Sequence, residues 1–230
     1  MIKKLEWDSI FWGKNIFSIP SDFNISDRKY ILDELQSVDY DIIQCNVSLQ
    51  EKCKINFLEK MGFLYQDTKI VFEKILCDDI FLDTYDVAEL NDVSELKILS
   101  DGLFTYSRFG SYPYSSAKAS LFYQTWVENA VTGCFDDICL KISHKKRIIG
   151  FVTLRILDKI GSIGLFGVSK SAQQSGIGRK LLAASSHYLK MHKVKNLHVA
   201  TQGENLPAMN FYIKNKFKVN RIDLWMCLYR

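Results

Sequence analysis

The chain has 230 residues, 47% of them hydrophobic and 24% charged, and a formal net charge of +4. That is the composition of a soluble globular protein with room for one large domain or two small ones, and no apolar run reaches the length of a membrane span. The mild charge suits anionic small ligands and argues against a nucleic-acid partner, since the densest basic run is only Lys145-Lys146-Arg147.

In chain order, the first 78 residues read as a small α/β unit. A helix is expected over 27–38, with Ile31, Leu32, Leu35 and Val38 at near-helical spacing, and a strand over 41–49. A second helix over 51–61 is stopped by Gly62, and a strand returns over 63–74. The acidic pair Asp78-Asp79 marks a weak boundary within 78–84, dividing the chain into 1–78 and 79–230. A helix follows over 87–99, with Leu90, Val93, Leu96 and Ile98 inward. The loop 105–116, T-Y-S-R-F-G-S-Y-P-Y-S-S, has the length and composition of a functional loop. A helix over 117–131 and strands over 138–142 and 148–157 lead to a strand at 162–168. After it come a helix, a strand over 196–202, a further helix through 212, and a last strand over 224–229.

The two ends echo each other. Val47-Ser48-Leu49-Gln50 and Asn56-Phe57-Leu58-Glu59-Lys60-Met61-Gly62-Phe63 parallel Val199-Ala200-Thr201-Gln202 and Asn210-Phe211-Tyr212-Ile213-Lys214-Asn215-Lys216-Phe217, at offsets of 152 and 154 residues. The first unit reads as a degenerate half of the second fold. It has no glycine loop, and Leu58 stands where the rear copy has Tyr212, so its expected work is packing.

The stretch 162–184 organises the chain: strand S-I-G-L-F-G-V, loop S-K-S-A-Q-Q-S-G-I-G-R, then helix. Gln173, Gln174, Ser175, Gly176, Ile177, Gly178 and Arg179 form a turn whose backbone N–H groups, with the helix N-terminus behind them, suit a pyrophosphate. Gly176 and Gly178 allow close backbone approach. The third glycine of a dinucleotide fingerprint and the Gly-Lys-Ser/Thr of a P-loop are both missing.

Gln173-x-x-Gly176-x-Gly178, followed by a strand, Asn205 and a helix carrying Tyr212, resembles the GNAT superfamily of N-acyltransferases, which use acyl-coenzyme A. Leu5-Glu6-Trp7-Asp8-Ser9-x-Phe11-Trp12-Gly13, Ser107-Arg108-Phe109, the block 122–136 and the ending 225–230 are similar to the bacterial dTDP-fucosamine acetyltransferase group within it. The resemblance implies an α/β GNAT fold, a mixed central sheet flanked by helices, with the smaller unit in front. It implies acyl transfer, acetyl or a longer group such as hydroxybutyryl, from acyl-CoA to the amine of a dTDP-linked 3- or 4-amino-dideoxyhexose. O-antigen or capsule biosynthesis in the cytoplasm is the matching setting, with a homodimer admitted.

An amine attacking a thioester must be neutral, the carbonyl oxygen needs donors, and the departing thiolate needs a proton. The resemblance places backbone contacts for the first substrate at Phe166, Gly167 and Val168, and sets the Tyr212 phenol near the sulfur as acid. A core aromatic is the alternative for Tyr212. The Asn205 amide can bond the pantetheine arm, cap the following helix, or both. Arg108 is the candidate for the acceptor's pyrophosphate, and Tyr106 and Tyr112, with Tyr114, for a thymine or sugar pocket. Tyr123 and Asn129 are further substrate candidates, roughly one and two-thirds helical turns apart. Glu128, Asp136 and Asp137, or a water, are open for the base. No histidine or cysteine stands at metal spacing, and the six cysteines read as small buried hydrophobes of a reducing compartment. Lys3 and Lys4 lack the apolar stretch of a signal peptide. A GNAT acting on a protein N-terminus or another small amine, and a non-catalytic acyl-CoA-binding protein, are the competing readings.

Overall fold

The computed structural model describes residues 1–76 and 84–230, so Cys77 and the boundary expected at 78/79 lie outside the described residues. The chain runs β1 (Lys3–Lys4), α1 (Glu6–Trp12), β2 (Ile16–Ile19), α2 (Arg28–Ser37), β3 (Ile42–Ser48), α3 (Lys52–Lys60) and β4 (Leu64–Ile75). It continues with β5 (Asp86–Val87), α4 (Val93–Ser100), α5 (Ser116–Val131), β6 (Ile138–His144), β7 (Arg147–Leu157) and β8 (Ile160–Val168). The last part is α6 (Ile177–Met191), β9 (Asn196–Gln202), α7 (Leu206–Lys214) and β10 (Lys218–Tyr229). The strands form one mixed sheet in the order β1-β2-β3-β10-β4-β9-β8-β7-β6-β5.

The echoed stretches fall on matching elements: β3, α3 and β4 in front, β9, α7 and β10 behind. Their returning strands are exchanged. β10 lies antiparallel between β3 and β4, and β4 lies antiparallel between β10 and β9. Next outward, β2 runs parallel to β3 and β8 parallel to β9. The sheet therefore repeats its pairing pattern about the β4–β10 seam.

Three apolar clusters hold the layers. α6 and α7 pack Leu181, Leu182, Leu189 and Tyr212 on Phe72, Leu154, Ile163 and Val199. On the other side Trp12, Leu96, Phe109, Phe122 and Val127 meet Phe151 and Leu165. Beside the first unit, Ile31, Leu35, Ile43, Leu58 and Phe63 close around Met226 of β10.

Four expectations are corrected. The helix expected from residue 87 begins at Val93, because Asp92 accepts the Glu89 N–H at 2.7 Å in a capping box that holds a 3-10 turn ahead of it. Leu90 and Ile98, expected inward, are 71% and 77% exposed, since α4 faces the core through Leu96 and Ser100 instead. β10 starts at Lys218, not 224: its charged first half pairs with β4, which outweighs poor strand propensity. Of the cysteines, Cys45, Cys139 and Cys227 are buried but Cys53 and Cys134 are exposed.

Because β10 is shared, the two units should unfold together. Leu58 is fully buried, and Leu58→Ala should cost about 2–5 kcal/mol. It should shift one transition, seen alike by tryptophan fluorescence and far-UV circular dichroism. Two separated transitions would contradict the shared-strand reading.

Candidate active site

β8 carries one residue more than β7 between the pairs Val152↔Phe166 and Leu154↔Ile163, a β-bulge. The extra residue inverts the side-chain parity of the strand. Before it, Gly161 and Ile163 face α6; after it, Leu165 and Gly167 face the opposite cluster, while Phe166 and Val168 turn toward the α6–α7 side. Pairing with β9 stops at the same place, at Ile163↔Val199, so two parallel neighbours diverge beyond it. Ser169 N donates to Ile149 O at 2.9 Å. The alternation of an antiparallel ladder then puts Gly167 N–H on the β7 side and leaves those of Phe166 and Val168 toward the gap.

A cavity of about 1540 Å³ fills the gap and spreads over the sheet on both sides of it. At one end is the glycine loop. Gln173 Nε2 bonds back to Val168 O at 3.3 Å, Ser175 Oγ donates to Ala172 O at 2.6 Å, and Gly176 caps α6 with φ +89. Only glycine adopts that conformation freely. A Cβ on Gly178 would press on the Phe211 ring at 3.0 Å. α6 thus opens onto the cavity, its first-turn N–H groups without intrahelical partners and the space at Gly176 clear for a Cβ.

Tyr212 comes from α7, packed among Phe72, Phe166, Phe211 and Phe217 at ring separations of 5.7, 6.4, 5.5 and 5.5 Å. It is 5% exposed and lines the cavity; burial raises its pKa, so the phenol keeps its proton at neutral pH. α7 is placed by Asn205, whose Oδ1 accepts from Ala208 N at 3.1 Å, with Pro207 in the first turn. This is the capping role; the Asn205 amide also borders the cavity.

Of the three carboxylates open for the base, the structure brings only Asp136 to the cavity. It is 2% exposed and accepts the Trp126 indole N–H at 3.0 Å. Glu128 pairs with Lys97 at 2.8 Å, and Asp137 accepts the Ile156 N–H at 2.5 Å.

The other part of the cavity lies on β3, β4 and β10. Arg108 is caged: its guanidinium carbon lies 4.2 Å from the Phe109 ring centre and 4.1 Å from that of Trp225, while Nη1 donates to Gln44 Oε1 at 2.9 Å and Tyr114 OH at 3.3 Å. Lys69 stands opposite Asp223 in register, and Arg221 Nε grips both Asp223 oxygens at 3.1 and 2.9 Å. Burial lowers the Lys69 pKa, with Arg221 and Arg108 pushing the same way against Asp223. Burial also raises Asp8, against the pull of Arg108. Asp67 is pushed up to about 6 by burial, opposed by the Thr68 N–H bond and Arg108.

Of the expected residues, Phe166, Val168, Gln173, Gln174, Gly176, Gly178, Arg179, Asn205, Tyr212, Arg108 and Tyr123 line this cavity. Gly167, Ser175, Ile177, Tyr106, Tyr112 and Asn129 do not. The bulge turns Gly167 to the Phe151 side, and Ile177 packs into the core. Tyr106 and Tyr112 are 42% and 67% exposed on the outside of their loop, while Asn129 lies beyond the helix face that carries Tyr123 and Trp126. Tyr123 is held by donating to Ser107 Oγ at 2.6 Å. Sequence reasoning missed Asp8, Gln44, Lys69, Arg221 and Trp225. The available signal was the period-two charge pattern Asp67, Lys69 and Arg221, Asp223 on two adjacent strands.

Diverging parallel strands, backbone donors along the open edge, a glycine turn at a helix start and a proton-bearing phenol suit acyl transfer from acyl-CoA. The chain belongs to the acetyltransferase (GNAT) family, whose model matches residues 101–217, and it is an acyl-CoA-dependent N-acyltransferase. It is 26% identical over 227 residues to the dTDP-fucosamine acetyltransferase of Escherichia coli O6:H1 (strain CFT073), covering 98% of this chain and 96% of that one. Among solved structures, a tandem GNAT protein from the clavulanic acid biosynthesis pathway shares the fold with a TM-score of 0.62 at 12% identity, over 89% of this chain and 69% of that one. The PaiA N-acetyltransferase of Thermoplasma acidophilum, solved with coenzyme A, has a TM-score of 0.51 at 19% identity, over 64% of this chain and all of that one. No helix among the described residues is long and apolar enough to cross a membrane.

The folded pKa of Asp67, about 6, lies above its ordinary 3.8, so its ionisation costs stability as pH rises through that window. Asp67→Asn should therefore stabilise the protein near neutral pH by about 1 kcal/mol after allowance for solvent screening, with the gain vanishing below the ordinary carboxylate pKa. Urea denaturation at both pH values checks this; an equal gain at both contradicts it.

Proposed function

We propose that the protein transfers a short acyl group from acyl-CoA to the amine of a dTDP-linked 3- or 4-amino-dideoxyhexose. The observation that carries this reading is the extent of the E. coli likeness. It runs over 98% of the chain and so includes the first unit, whose β3 and β4 supply Gln44 and Lys69 to the cavity. We read residues 1–78 as a degenerate copy of the 79–230 unit that keeps the sheet geometry and lends its face to the acceptor.

Acyl-CoA supplies the activated thioester. The loop 173–179 holds its pyrophosphate, Asn205 its amide arm, and the N–H groups of Phe166 and Val168 bond along the divergent edge. Donors fixed there stabilise negative charge developing on the carbonyl oxygen without reorganising. The C–N bond forms as the C–S bond breaks; Tyr212 donates its proton to the departing sulfur, and the proton released from the amine nitrogen restores the phenol. A phenol made a weaker acid by burial still serves, because a neighbouring thiolate in the same apolar surroundings is made a stronger base.

Tyr212→Phe removes one hydroxyl and little volume, so the protein should fold and bind CoA normally. Turnover should fall by about 10²-fold or more, measured as thiol release from acetyl-CoA with a panel of dTDP-amino-dideoxyhexoses, and with hydroxybutyryl-CoA beside it. Near-normal turnover with chemistry rate-limiting would make Tyr212 a packing residue. Absence of thiol release with every dTDP-amino sugar, against turnover with a free amine or peptide, would reject the acceptor.

A further inference from the structure

The cavity is lined by six basic side chains, Lys69, Arg108, Arg155, Arg179, Lys214 and Arg221, and by two acidic ones, Asp8 and Asp136. Such a surplus calls for anionic ligands, and one pyrophosphate at the glycine loop accounts for only part of it. In the sheet order β10-β4-β9-β8, Lys69 on β4 and Arg221 on β10 lie two and three strands from β8, roughly 10–14 Å across at ordinary strand spacing.

These two cations differ from Arg108 in how they are held. Arg108 is sandwiched on both faces, and Nη1 is taken by Gln44 and Tyr114. It lines the cavity from within this cage and positions Trp225 and Gln44. Arg221 is gripped through Nε by Asp223, itself 4% exposed, and this fixes the guanidinium while its two terminal nitrogens carry no protein hydrogen bond among the described residues. Lys69 is half-buried, and its ammonium has neither an ion pair nor a hydrogen bond among the described residues. A half-buried ammonium left without a bonded partner, beside two guanidiniums and one carboxylate already engaged, is better accommodated when an anion joins it. Burial first, and then Arg221 and Arg108 against the pull of Asp223, lower the Lys69 pKa.

We propose that Lys69 and Arg221 hold the diphosphate of the acceptor, at the seam where β4 and β10 exchange between the two units. This rests on the nucleotide-sugar reading above, and it moves the anion contact from the Arg108 loop to the sheet. Arg108 becomes a positioning residue. The same cations would suit another phosphate, the one on the ribose of coenzyme A, so the test separates the two sources.

Calorimetry with dTDP, thymidine and coenzyme A on the full chain, and on Lys69→Met and Arg221→Gln, decides between them. Each variant should bind dTDP about ten- to hundredfold more weakly, with coenzyme A affinity unchanged, which also shows that the variants are folded. Thymidine, without phosphates, should bind wild type and variants alike. Unchanged dTDP affinity in both variants would overturn this assignment alone, as would loss of coenzyme A affinity in place of dTDP affinity. A wild-type protein that binds no dTDP would overturn the acceptor reading itself, and this assignment with it.

Discussion

Gly164 sits where β8 is one residue longer than β7, and a Cβ there would collide with the Asp136 carboxylate and lie 2.8 Å from Thr153 Oγ1. Both neighbours are buried and engaged: Asp136 receives the Trp126 N–H, and Thr153 Oγ1 receives the Leu165 N–H at 2.7 Å. α5 and β7 thus clamp the bulge from two sides. From that clamp follow the altered parity of β8, the end of its pairing with β9, and the donors left facing the gap. The glycine loop, Tyr212 and the cavity are arranged around an opening that exists because one residue does not fit the ladder.

The second constraint is the exchange of β4 and β10. A strand buried between two others reads as apolar on both faces when helices cover both. Here one face carries Lys69, Asp67, Arg221 and Asp223, with Gln44 of β3 alongside. Charges in the middle of a sheet cost stability unless they are paired or meet a ligand. Asp223 answers for Arg221, and Lys69 faces the cavity. The first unit needs neither a glycine loop nor a phenol for that, and Leu58 in the place of Tyr212 simply fills its core.

Much of this was legible in the residues. Apolar periodicity located α2, α3 and β9 to within a residue or two, and Gln173-x-x-Gly176-x-Gly178 marked the glycine-capped turn that opens α6 onto the cavity. The matching blocks around Leu58 and Tyr212 fall on corresponding elements of the sheet, α3 with β3 and β4, α7 with β9 and β10. What escaped depended on contacts distant in sequence. Nothing local says that Lys218 begins a strand, because its partner, Glu73, is far away in the chain. Arg108 looked like a free cation in a loop, and its cage is built by Trp225 and Gln44 from the two ends of the chain. Gly167 looked like a cofactor contact, but a bulge at Gly164, invisible in a regular alternation, turns it to the Phe151 side. Local pattern sets elements; register and pairing decide which side chains reach the site.

The most direct test of this account concerns the open edge of β8. Amide hydrogen exchange, resolved by residue, should be followed with and without saturating acetyl-CoA. The Phe166 and Val168 amides should slow by at least about tenfold on binding, together with those of 176–179, while Gly167, already on the β7 side, changes little. Saturable binding of acetyl-CoA that leaves the Phe166 and Val168 amides exchanging at their free rates would contradict it.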